Sequence, residues 1–119
     1  MQKVMICDRD DTERAQLTAH IRACYAARGE GVQVEGCADW PGLAAMVKRT
    51  EPDIVVVAQD GVEGLDTITS ARLLTGKTIW FSDLDFGVQA YWLCVAYFGR
   101  KPVTYQKVAR ALGSFWEGK

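Results

Sequence analysis

The side chains of this 119-residue chain that could do chemistry each follow an apolar run. Asp8, Asp10 and Asp11, with Arg9 among them, come after residues 3–7. Gln59 and Asp60 come shortly after Ile54 to Val57. Ser82 and Asp83 close the run 77–82, and Lys101 comes just after 95–99. Carboxylates ligate cations or act as nucleophiles. A hydroxyl and an ammonium contact anionic oxygens. These groups act together only if the fold gathers them. Taken alone, Asp8, Asp10 and Asp11 read better as a solvated turn with a helix cap. The most apolar run delivers Ala58, which has no nucleophile and cannot ligate a cation.

The elements that would position these residues alternate between strand and helix. "KVMIC" (3–7) has strand character. Asp11 or Thr12 can cap a helix running to about Arg28, with Leu17, Ile21 and Cys24 at helical spacing. "GEG" (29–31) breaks it. "VQVEG" (32–36) alternates like a strand. Asp39 then caps a helix with Pro41 in its first turn and Leu43, Met46 and Val47 inside. "DIVVVA" (53–58) is a strand, and Leu65 to Leu74 a helix with Leu65, Ile68, Ala71 and Leu74 in register. "KTIWFS" (77–82) is a fourth strand, about 86–94 a fourth helix, and "VAYFG" (95–99) a fifth strand. A last helix spans Tyr105 to Trp116, with Val108, Leu112 and Phe115 on one side. Five such units predict a single α/β domain over 1–119, with a parallel sheet covered by helices on both faces. In such sheets, functional groups gather beyond the carboxyl ends of the strands.

Composition bounds the function classes. Nearly half the residues are apolar and the net charge is −1, so nothing calls for nucleic acid or a membrane surface as partner. No apolar run approaches the ~20 residues of a bilayer span, and the N-terminus is not a secretory signal. A cytoplasmic location is expected. Cys7, Cys24, Cys37 and Cys94 form no C-x-x-C pair. They read as four small buried thiols in a reducing compartment rather than a metal or disulfide site. His20, the only histidine, reads as a helix-surface residue. Trp80, Tyr91, Trp92, Tyr97 and Trp116 read as core or helix packing.

In order and spacing, "ICDRDDTER", "EPDIVVVA", "TIWFS" and "GRKP" resemble the receiver domain of two-component response regulators, over nearly the whole chain. "DFGVQAY" followed by "YFGRKP" is most similar to receivers attached to LytTR-type DNA-binding domains. The resemblance implies a flavodoxin-like (CheY-like) fold with strand order 2-1-3-4-5. Its chemistry is attack of a carboxylate on a phosphohistidine phosphoryl group, with acids holding Mg²⁺ against the developing charge. A lysine contacts the phosphoryl group and a hydroxyl is drawn to it. An aromatic side chain then reports the event on the face of the fourth helix and fifth strand.

On that resemblance, Asp8 matches the first acid and Asp10 a third. Arg9 falls where a second, metal-ligating acid should be, and Ala58 falls on the phosphoacceptor. Ser82 matches the switch hydroxyl and Phe98 the switch aromatic. Lys101 matches the lysine, followed by Pro102 through a bond that is cis in many receivers. The loop "QDGVEG" (59–64) is shorter than the family's and lacks its proline. The pocket keeps its rim and loses its reactive centre, and a guanidinium beside Asp8 would repel Mg²⁺. The reading is a pseudo-receiver with no catalytic residue, no cofactor and Mg²⁺ disfavoured. Arg9 would pair with Asp8, Asp10 or Asp60. Signalling would run through a protein partner: a second copy, an output domain or a histidine kinase. Any DNA-binding output domain would lie outside this chain. Trp92 and Tyr97 would sit on the interaction face with Ser82 and Phe98.

Three alternatives remain at this level. Asp60 could serve as acceptor if its loop folds back over the pocket, since two residues of strand advance ~6.6 Å. The simpler reading of Asp60 is a turn residue before Gly61. A flavodoxin-like nucleotide binder would need a glycine-rich cradle after the first strand, where "CDRDDTE" has no glycine. A purely structural partner protein is the last.

Overall fold

Strict side-chain alternation along a strand sends successive residues to opposite faces of the sheet, and this chain fills both faces. The computed structural model describes residues 1–116. In chain order the elements are β1 (Gln2–Cys7), α1 (Asp11–Ala27), β2 (Val32–Cys37), α2 (Trp40–Arg49) and β3 (Ile54–Val57). They continue with α3 (Gly61–Ala71), β4 (Thr78–Ser82), α4 (Gly87–Trp92), β5 (Tyr97–Arg100) and α5 (Tyr105–Trp116). The strands form one parallel sheet in the order β2-β1-β3-β4-β5. This is the flavodoxin-like arrangement expected from the sequence.

Val4, Ile6, Ile54, Val56, Ile79 and Phe81 pack against α1 and α5 through Leu17, Ile21, Val108 and Leu112. Met5, Cys7, Val55, Val57 and Trp80 point the other way, to Leu43, Met46, Ile68, Ala71 and Ala90 on α2, α3 and α4. β3 is buried along its whole length because it lies between two paired strands and under both helix layers. No helix among the described residues is long and apolar enough to cross a membrane.

Several local expectations are corrected. The α1 cap is Asp10, not Asp11 or Thr12: Asp10 is extended and its carboxylate accepts the Glu13 N–H at 3.0 Å. Asp39 caps α2 as expected, accepting the Gly42 N–H. α3 starts at Gly61 rather than Leu65, because Gly61 adopts φ +59° and turns the chain directly into the helix. α4 is shorter than 86–94 and stops where Cys94 takes a left-handed φ of 58°. β5 begins at Tyr97 rather than Val95. Tyr91 and Trp92 are exposed rather than packed, and Cys94 is exposed rather than buried; Cys37 is half-buried. His20 is half-buried on α1, edge-on to Tyr105.

Candidate functional site

The sheet's hydrogen-bond ladder runs one residue past the strand ends and aligns the site. Ala58 donates its N–H to the Cys7 carbonyl at 2.9 Å, Asp8 to the Cys37 carbonyl at 3.0 Å, and Lys101 to the Ser82 carbonyl at 2.8 Å. Asp8, Ala58, Ser82 and Lys101 therefore stand along one carboxyl-end edge. Lys101 and Pro102 are joined by a cis peptide bond.

Lys101 is the centre of the arrangement. Its Nζ donates to the Ala58 carbonyl at 2.5 Å and to Glu13 Oε1 at 2.6 Å, and lies 2.7 Å from Asp60 Oδ1. Burial alone would lower its pKa. The Asp60 and Glu13 carboxylates override that and hold the ammonium above its ordinary value. Asp60 thus does more than make a turn: its loop folds back until its carboxylate meets Lys101, although most of its side chain is exposed.

Asp8 is only 1% exposed. Its Oδ1 accepts the Asp10 N–H at 3.0 Å, while its Oδ2 is buried without a hydrogen-bond partner. Burial first, and the Glu13 carboxyl next, push its pKa to about 8, against the opposing pull of the Asp10 N–H and Lys101. The Ala58 methyl beside it is fully buried. Ser82 is fully buried as well. Its hydroxyl donates to Asp83 Oδ1 at 3.3 Å and accepts the Leu84 N–H at 3.2 Å. Asp83 Oδ1 also accepts the Gly61 N–H, which ties the start of α3 to the end of β4 and holds the Asp83 carboxyl below its usual range.

Contrary to the expectation from sequence, Arg9 does not pair with Asp8, Asp10 or Asp60. Its exposed guanidinium forks onto both oxygens of Glu63 in the first turn of α3. The reason is competition. Asp8 faces inward, Asp10 is spent on the helix cap, and Lys101 holds Asp60. A crevice of about 270 Å³ remains, lined by Asp8, Arg9, Asp10, Gln59, Asp60 and Glu63.

Glu13 and Glu63 are the site residues that sequence reasoning missed. Glu13 was visible as the fourth residue of Asp10-x-x-Glu13, the spacing of a capping box. In place of the usual return bond to the cap N–H, its carboxylate reaches Lys101. Glu63 was hidden by placing the start of α3 too late.

Trp92 (75% exposed) and Tyr91 (79% exposed) stand on α4, with Val88 and Leu84 nearby in sequence and also exposed. Phe98 points into the α4 side, edge-on to Trp80, which stacks on Phe86. Tyr97 does not share that side. One residue earlier on β5, it turns to Phe81 and the α1/α5 layer.

The donor set does not fit Mg²⁺, which demands near-octahedral oxygen ligands. Asp8 Oδ2 is the free acidic oxygen inside the edge; Ala58 brings none, and the Ala58 carbonyl already accepts from an ammonium. Among the described residues no group of three His, Cys, Asp or Glu side chains is placed to hold a metal.

No protein-family model and no curated protein matches this chain. Solved structures do. A response regulator receiver domain protein from Clostridium thermocellum superposes with a TM-score of 0.76 at 18% identity, over 95% of this chain and 92% of that one. A response regulator from Thermotoga maritima gives 0.74 at 17% identity, over 95% of each chain. The signal receiver domain of the putative response regulator NarL from Mycobacterium tuberculosis gives 0.67 at 20% identity, over 99% and 98%. At these identities the likeness is one of fold.

Proposed function

We propose that this chain is a receiver-type module of two-component signalling whose phosphoacceptor position is Ala58, and that it signals by protein–protein contact without conventional phosphorylation. The observation that carries the reading is the state of Lys101. Its ammonium is held by the Ala58 carbonyl, Glu13 and Asp60, so protein carboxylates occupy the charge that would otherwise meet a phosphoryl group. The methyl of Ala58 supplies no nucleophile, and Arg9 and Glu63 close the mouth with an ion pair. The module works in the cytoplasm as a binding partner, not an enzyme. Its partner is a second copy, an output domain or a histidine kinase, met through the aromatic surface of α4. The LytTR-like segments point to a DNA-binding output domain outside these residues.

Incubation with acetyl phosphate and Mg²⁺, read by intact mass, tests this. The expected result is an unchanged mass; a stoichiometric phosphoryl adduct on an aspartate overturns it.

One observation favours a second reading, in which Asp60 is the acceptor: its carboxylate hangs over the crevice within reach of Lys101. That reading requires an adduct that disappears in Asp60→Asn.

A further inference from the structure

The two thiols nearest the site are partners across the sheet. Cys7 ends β1, Cys37 ends β2, and the parallel register sets them directly opposite each other. Both side chains enter the same layer, beside Leu43 and Val57. Adjacent strands lie about 4.8 Å apart, inside the roughly 4.4–6.8 Å window of Cα separations that a disulfide spans. The thiols differ in access. Cys7 is fully buried and Cys37 half-buried. Cys37 Sγ lies 3.5 Å from the Ile6 and Asp39 carbonyl oxygens, at the entry to α2. Gly42 leaves room there, since a Cβ on it would come within 2.9 Å of the Cys37 Cβ.

We propose that Cys7 and Cys37 form an oxidisable dithiol, a modification site that reacts with a hydroperoxide and closes to an intramolecular disulfide. The inference stands on the sheet register and does not depend on the receiver reading. In the first step the Cys37 thiolate attacks the peroxide. An S–O bond forms, the O–O bond breaks, and the departing alkoxide leaves as an alcohol with the proton that Cys37 released. Cys37 is oxidised to a sulfenic acid and the peroxide is reduced. In the second step the Cys7 sulfur attacks the Cys37 sulfur. The S–S bond forms, the S–O bond breaks, and hydroxide leaves as water with the Cys7 proton.

The order of attack follows from the surroundings. The interaction of the two neighbouring thiols, then burial, pushes Cys7 far up, whereas its neighbour Cys7 brings Cys37 below an ordinary thiol despite its partial burial. The Asp39 backbone and the Arg14 charge also favour the Cys37 thiolate, while the Asp39 carboxylate opposes it. Cys37 is the attacking sulfur and Cys7 the resolving one.

The product would clamp the two strand ends next to the site. The Asp8 N–H already bonds to the Cys37 carbonyl, and Gln59 Nε2 donates to the Ala38 carbonyl. The crosslink therefore restrains the residues that line the crevice.

The test uses hydrogen peroxide on the Cys24→Ala, Cys94→Ser variant, which keeps only this pair, with the parent chain run alongside in case that variant folds poorly. The expected result is a mass loss of two hydrogen atoms, reversed by dithiothreitol, with Cys7 and Cys37 in one crosslinked peptide and Cys24 of the parent still a thiol. Cys37→Ser abolishes the crosslink. In Cys7→Ala, Cys37 gains oxygen atoms instead. Lack of reaction, a disulfide between two molecules, or sulfinic acid at Cys37 with Cys7 still reduced in the parent overturns the proposal.

Discussion

A carboxyl group that is buried with one oxygen unpartnered costs the fold more when ionised than when protonated, and Asp8 is such a group. It titrates near 8 in the folded chain and near 4 once exposed. Between those values the folded state keeps a proton that the unfolded state has released, so this residue lowers stability as pH rises through the window. Asp8→Asn removes that dependence while its amide oxygen can still accept the Asp10 N–H. Relative to the parent, the variant should gain up to about 5 kcal/mol between about pH 4 and pH 8. Urea denaturation at both ends of the window measures it. A parent–variant difference that stays flat would show that Asp8 is ionised throughout. Arg9 follows the opposite logic. Its pair with Glu63 is exposed on both sides and screened by solvent, so it shapes the mouth of the crevice rather than the stability of the fold.

At the scale of elements, the site depends on how closely α3 follows β3. Only Ala58, Gln59 and Asp60 separate them, and two glycines make that turn possible. Gly61 supplies a left-handed φ in otherwise open space. Gly64 lets the first turn of α3 lie against the loop: a Cβ there would stand 2.2 Å from the Gln59 carbonyl oxygen, a backbone atom that cannot swing aside. Gly64→Ala should therefore cost about 3 kcal/mol, as overpacking against backbone does. Gly61→Ala pays only the conformational term, roughly 1 kcal/mol. Urea midpoints of the two variants check the ranking, and equal midpoints would mean that α3 can slide away from β3 freely. The same tight turn brings Glu63 to Arg9 and Asp60 to Lys101.

Over the whole molecule, chemistry and contact surface are separated. The Lys101 network closes the carboxyl-end edge, and α4 presents Tyr91 and Trp92 outward beside it. Side chains so exposed add little to the fold, so Tyr91→Ser with Trp92→Ser should change unfolding free energy by less than about 0.5 kcal/mol. Exposed aromatics of this kind supply the core of protein interfaces. The parent is expected to self-associate in light scattering and the double variant to remain monomeric. A parent that remains monomeric at high concentration would assign this surface to a different protein.

The order of strands and helices was legible in the sequence, because apolar runs, helical spacing and caps such as Asp39 act within a few residues. The fully apolar "IVVV" announced a strand buried on both faces, and Asp8, Ala58, Ser82 and Lys101 could be assigned to strand ends from those runs alone. Partnership within the site was not legible. Arg9 meets Glu63 across 54 positions and Lys101 meets Glu13 across 88. Which carboxylate a cation finds depends on which others are already spent on caps and turns. Tyr97 and Phe98 went to opposite sides because strand parity turns on the residue at which the strand begins. The facing of Cys7 and Cys37 likewise arises only when β1 and β2 pair in register. Local chemistry writes the elements. Competition for partners across the sheet, settled only by packing, decides what the elements hold between them.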